Sequence, residues 1–148
     1  MLTNFLKWMR LALIVVALGR LAVPHAAAQL SGSAPLSSAG TSEKAVTEFL
    51  GKLQKAVQAD DRVGVAGLVA FPLRAWNGKT VVMVKDKNQF LAQYPVIFSP
   101  MLKTTIATSR LENSWANNQG VMFDNGRIWL GAGSKGMLRI ITVNPPSD

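Results

Sequence analysis

The order of periodicities along the chain predicts an α+β domain, a curved antiparallel sheet wrapped around an N-terminal amphipathic helix. A helical apolar stripe opens the folded part, a hairpin signal and a short helical stretch follow, and a β meander closes it. A chain of 148 residues has room for one such domain with extra segments at its ends. Its 49% apolar and 16% charged residues suit a packed core and argue against wholesale disorder.

Residues 1–28 read as an export signal outside that fold. Lys7 and Arg10 precede the apolar run Leu11 to Leu18, and Ala26 and Ala28 fit the small-residue subsites of a cut between Ala28 and Gln29. A helix crossing a bilayer needs about 20 apolar residues, whereas Gly19 and Arg20 end this run early. A lipid attached at that junction would require a cysteine, and the chain has none. The expected destination is therefore the periplasm or the exterior, with membrane contact only through this segment during export.

Cleavage there changes the inventory. Loss of Lys7, Arg10 and Arg20 leaves 13 cationic side chains against 8 acidic ones, a net charge near +5. The single histidine, His25, leaves too. A mature chain without histidine or cysteine excludes Ser-His-Asp and Cys-His catalysis, disulfides, and imidazole or thiolate metal sites. No metal and no cofactor is expected.

Residues 29–42, QLSGSAPLSSAGTS, are small, polar and uncharged, with Gly32, Pro35 and Gly40 as breakers, and read as a flexible leader. The domain proper is expected over residues 43–144, with 145–148 as a tail. Val46, Phe49, Leu50, Leu53, Ala56 and Val57 fall on one helical face. Thr41 or Ser42 can cap its start, and Glu43 suits the positive end of its dipole. Asp60 and Asp61 break it before a marginal helix from Arg62 to Val69 that contains Gly64 and Gly67.

From Phe71 the signals become those of strands. FPLRAW and KTVVMV flank Asn77-Gly78, a pair suited to a two-residue type I′ hairpin turn, and Pro72 confines the first strand to an edge or an irregular start. Asp86 can cap a short helix through Gln93, stopped by Pro95, and Ser99-Pro100 opens another to about Ser109. Beyond an irregular stretch around Glu112 and Trp115, the strands VMF, RIWLGAG and MLRIITV are separated by turns at Asn117–Gly120, Asp124–Gly126 and SKG. Alternation places Ile128, Leu130 and Ala132 on one face and Arg127 and Trp129 on the other, so one face can pack on the helices and the other can line a cavity.

The segments FLGKLQKAVQADDRVGVAGLVAFPL, GVMFDNGRIWL and MLRIITVN, in this order, resemble the nuclear transport factor 2-like superfamily of cystatin-like, cone-shaped α+β domains, over roughly residues 43–143. The resemblance implies a pocket between sheet and helices. Some enzymes of that superfamily, ketosteroid isomerase-like and polyketide cyclase-like, use a buried Asp with Tyr or His.

The candidate residues follow from chemistry. Gly131, Gly133 and Gly136 spell G-x-G-x-x-G, but a strand follows where a dinucleotide site needs a helix, so the motif reads as a hairpin turn. Glu112 and Asp124, paired with the sole tyrosine Tyr94, are the weak catalytic candidates; no catalytic residue is assigned. Trp129, Trp76, Trp115 and Tyr94 are candidate pocket walls, Trp129 foremost, and Arg127 or Arg139 is the cation that could meet an anionic group, although a solvated sheet face accounts for both as well. Lys79, Lys85 and Lys87 cluster without the interleaved aromatics of a nucleic-acid surface, so specific nucleic-acid binding is not expected. The leading expectation is an exported, non-enzymatic binding or interaction domain with an apolar pocket. Its partner would be a small apolar or anionic ligand or a protein, and homodimerisation stays open. A cyclase- or isomerase-like enzyme and a basic protein binding anionic envelope surfaces are the alternatives.

Overall fold

The computed structural model describes residues 35–146; the expected signal segment and its Ala28–Gln29 junction lie outside them. The predicted opening stripe forms α1 (Glu43–Gln58), which buries Val46, Phe49, Leu50, Leu53 and Val57. Ser42 caps it, its Oγ accepting from the Ala45 N–H at 3.3 Å. Asp61 caps the one-and-a-half turns of α2 (Arg62–Gly67) through the Gly64 N–H at 2.8 Å. The end of the expected flexible leader is ordered on the domain: Leu36–Ala39 make a 3-10 turn, and Ala39 is buried in the core.

Six strands follow in sheet order β2-β1-β6-β5-β4-β3. They are β1 (Val69–Trp76), β2 (Val81–Val84), β3 (Ser114–Asn117), β4 (Gly120–Phe123), β5 (Ile128–Ala132) and β6 (Leu138–Val143). The expected all-antiparallel sheet is in fact mixed, because β1 and β6 run parallel. The chain leaves the sheet after β2 through α3 (Lys87–Ile97) and α4 (Pro100–Thr108) and re-enters at the far edge. Three reversals then bring β6 back beside β1 in the same direction. The sheet stays open, with β2 and β3 at its edges. Among the described residues, no helix is long and apolar enough to cross a membrane.

Three local expectations are corrected. The hairpin after Trp76 is a four-residue loop, since Trp76 pairs with Val81. The Asn77 Oδ1 accepts from the N–H groups of Lys79 and Thr80 at 3.1 and 2.9 Å, so a side-chain turn replaces type I′ geometry. Pro95 does not stop α3. Burial of Tyr94, Ile97 and Phe98 holds the last turn together despite the hydrogen bond a proline removes. The stretch around Trp115, read as irregular, is the strand Ser114–Asn117, paired residue for residue with β4. Pro72 sits where the β1–β6 register shifts, the irregular start that its missing N–H requires.

Pairing carries one row of side chains across the whole sheet: Trp115, Met122, Trp129, Thr142, Arg74 and Met83. All six are half-buried or exposed. The neighbouring row of Phe123, Ile128, Val143 and Ala75 is buried in the core shared with the helices. The two faces of the sheet are thus chemically distinct, and the helices cover only one of them.

Two glycines make the backbone logic testable. Gly120 opens β4 at a φ of +148°, and a Cβ there would lie 2.1 Å from the Leu130 carbonyl oxygen. Gly51 lies in α1 with nothing within 4 Å of an added Cβ. Gly120→Ala is expected to lower unfolding stability by at least about 2 kcal/mol, and Gly51→Ala to raise it by about 0.5–1 kcal/mol. Urea midpoints at unchanged m read both effects.

Candidate functional site

Where β1 and β6 end side by side, Ala75 opposite Val143, the chain continues into Trp76 on one strand and Asn144 on the other. The corner between α3 and α4 faces them. The result is a groove of about 370 Å³ whose walls include Trp76, Val96, Ile97, Met101 and Val143, with Ser99, Arg127 and Asn144 as its polar members. That volume falls at the small end of the range for ligand sites, about 300–1,000 Å³.

Arg127 is 7% exposed, yet its Nε has no hydrogen-bond partner and it forms no ion pair among the described residues. Its backbone is held: the carbonyl accepts from the Asn144 N–H at 2.8 Å, and its own N–H donates to the Asp124 carbonyl at 2.9 Å. The α4 N-terminus lies in the same wall. Ser99 caps it with Oγ accepting from Leu102 N–H at 3.4 Å, and Pro100 occupies the first helical turn. Val96 and Met101 are 49% and 60% exposed, so apolar surface here faces solvent.

A larger groove of about 470 Å³ runs between α1 and α4, lined by Gln54, Val57, Gln58, Lys103, Thr104 and Ala107. Its polar groups are already engaged. The Gln54 amide donates to the carbonyls of Ile106 and Ser109 at 3.0 and 2.9 Å, and Lys103 binds Asp60. It reads as a helix–helix seam.

The remaining predicted residues are dispersed. Trp115 and Trp129 meet edge to face, centroids 6.4 Å apart, on the sheet face away from the core, and neither lines the Trp76 groove. Arg139 donates to the Gly67 carbonyl. Glu112 lies exposed in a 3-10 turn, and Asp124 lies exposed in the turn before β5. Tyr94 is fully buried in α3, stacked on Phe98 at 5.1 Å and edge-on to Phe90 at 5.8 Å. Its charged neighbours are those of the α1–α2 corner, not Glu112 or Asp124: the Arg62 guanidinium and Lys103 ammonium lie 5.4 and 5.1 Å from its ring centre. Of the five expected pocket residues, only Trp76 and Arg127 share a groove. Sequence reading missed Met101, Val96 and Asn144; the Ser99-Pro100 cap was the one signal pointing to that wall.

Every carboxylate among the described residues is exposed, and no cluster of three His, Cys, Asp or Glu there could hold a metal ion. Comparison with known protein families, curated proteins and solved structures finds no match to this chain.

The charged cap on Tyr94 has a pH signature. Asp60 bonds Lys103 at 2.7 Å and Arg62 at 3.1 Å, and these bonds hold its carboxyl below the usual carboxylate range. Burial pushes the Tyr94 phenol up, and the Asp60 charge adds to that. A lowered folded-state pKa means that Asp60 stabilises the fold fully above the unfolded value, about 3.9. That contribution is lost as pH falls through the lowered folded value. Asp60→Asn should therefore reduce the urea midpoint by a constant amount above about pH 5, and the two curves should converge in stronger acid. A gap unchanged down to pH 2 would refute the charge-based account.

Proposed function

We propose that this chain is an exported, non-enzymatic binding domain of the nuclear transport factor 2-like type, with the groove between Trp76 and Arg127 as its ligand site. The cone-like wrapping of the sheet around α1 belongs to this reading, as do the signal segment and the periplasmic or extracellular destination. The observation that carries it is a largely buried Arg127, its Nε without a hydrogen-bond partner among the described residues, in the same groove as an aromatic wall. Ligand sites are concave and mainly apolar, with a few convergent polar groups, and this groove has that composition.

The cyclase- or isomerase-like alternative calls for a carboxyl raised by burial beside a partner. Glu112 and Asp124 are both exposed and far from supplying that environment, so the observations favour binding. The basic-surface alternative would draw on Lys79, Lys85 and Lys87, all exposed around β2. Its binding would weaken with salt, which the test below separates.

The neutral fluorescent probe N-phenyl-1-naphthylamine tests the groove. It should bind saturably and with little dependence on salt. Trp76→Ala should weaken it about tenfold or more, the expected loss for removing an aromatic wall. Trp129→Ala should leave the affinity unchanged. The opposite pattern would move the site to the outer sheet face, and the absence of saturable binding would end the proposal.

A further inference from the structure

We infer that the groove is built for a singly charged amphipathic anion, a carboxylate on a short apolar body, with the carboxylate on Arg127. This rests on the groove being the ligand site. Three features of the same walls carry it.

The first is the cation itself. Taking a charge out of water costs several kcal/mol unless a partner is supplied. Arg127 is more than nine-tenths buried, lines the groove, and has neither an ion pair nor a partner for its Nε among the described residues. No aspartate or glutamate lines the groove to answer it from within. A partner for that Nε has to be water or a ligand, since none of the described residues supplies one.

The second is the start of α4 in the same wall. Pro100 has no N–H, Leu102 N–H is taken by Ser99 Oγ, and Lys103 N–H by the Ser99 carbonyl at 3.0 Å. The Met101 N–H is the first-turn donor left over, at the positive end of the helix dipole. A guanidinium and a helix start in one groove form a composite anion receptor.

The third is what surrounds them. Trp76, Val96, Ile97 and Val143 offer apolar wall to the rest of the ligand. One guanidinium and one amide match the two oxygens and single charge of a carboxylate. A phosphate dianion would be under-compensated, since no lysine lines the groove.

Displacement of N-phenyl-1-naphthylamine from the full chain at pH 7 and 0.15 M salt tests the inference. The competitors are octanoate, octan-1-ol, octylammonium and octyl phosphate. Octanoate should displace the probe at about tenfold lower concentration than octan-1-ol, with octylammonium weakest. Arg127→Gln should bring octanoate and octan-1-ol together, whatever it does to the probe's own affinity. Should Arg127→Gln fail to fold, the order of the four competitors on the unaltered protein decides alone. Equal displacement by octanoate and octan-1-ol, with the probe still dependent on Trp76, overturns the anion inference and leaves the groove standing. Octyl phosphate displacing better than octanoate overturns the carboxylate assignment. Failure of the probe to bind at all removes the groove reading, and this inference with it.

Discussion

The geometry of the groove hangs on Asn144, the residue just past the last strand. The Arg74 guanidinium of β1 donates to its Oδ1. Its Nδ2 donates to the Gly126 carbonyl at 2.7 Å, and its backbone N–H to the Arg127 carbonyl at 2.8 Å. One residue thereby fastens the first strand, the turn leading into β5 and the end of β6. Parallel pairs have evenly spaced but slanted bonds and no hairpin to fix their register, so β1 and β6 need such a tie where they end. A single hydrogen bond contributes only about 1 kcal/mol net, but leaving one buried partner bare costs about 1–3 kcal/mol. Three bonds on one side chain and backbone therefore make the site's floor cooperative.

That arrangement sharpens the contrast among the arginines. Arg74 is spent on Asn144, Arg139 on the Gly67 carbonyl and Arg62 on Asp60. These are exposed or half-buried, where a partner is least needed. Arg127 is the buried one, and it has no ion pair among the described residues. Folded chains seldom leave a buried polar group unmatched, and each exception calls for an explanation. The Thr41 Oγ1 and the Tyr94 hydroxyl are the other two among the described residues, and Arg127 is the one that is charged and lines a groove. The inversion of the usual order makes Arg127 stand apart from the general basic charge of the chain.

Local patterns were legible in the sequence wherever they act over a few residues. The α1 stripe, the break at Asp60–Asp61, the Ser42, Asp86 and Ser99 caps and the Asn117–Gly120 turn are set by neighbours within four positions. What escaped was set by distant parts of the chain. Pro95 is helical because Tyr94 and Phe98 are buried against other elements. The parallel β1–β6 pair joins residues some seventy positions apart, as Val69 with Ile140, and no periodicity encodes that. The pocket assignment failed partway for a local reason that alternation hides. Asp124, Asn125 and Gly126 all have positive φ, at 51°, 50° and 85°. The strand's pleat therefore cannot be extended backwards from Trp129 to Arg127, and the two side chains do not share a site. Trp76 and Arg127 were both legible as candidates by chemistry; their juxtaposition was a matter of topology.

The α3–α4 corner gives the groove one rigid wall. Its inner side is locked by Phe90, Tyr94 and Phe98, whose rings pack at 5.1 to 5.8 Å, and by the Asp60 cap above Tyr94. Its outer side presents Val96 and Met101 to solvent. The same short segment therefore spends its aromatic residues on rigidity and its aliphatic ones on exposed surface. Ordering a wall at the moment of binding costs roughly 0.5–1.5 kcal/mol for each side chain fixed. A wall backed by stacked rings on one side and opposed by the tied ends of β1 and β6 on the other has much of that ordering done beforehand. In the proposed reading, the groove holds a small ligand with a modest contact area, and the ligand supplies the negative charge that Arg127 has no partner for.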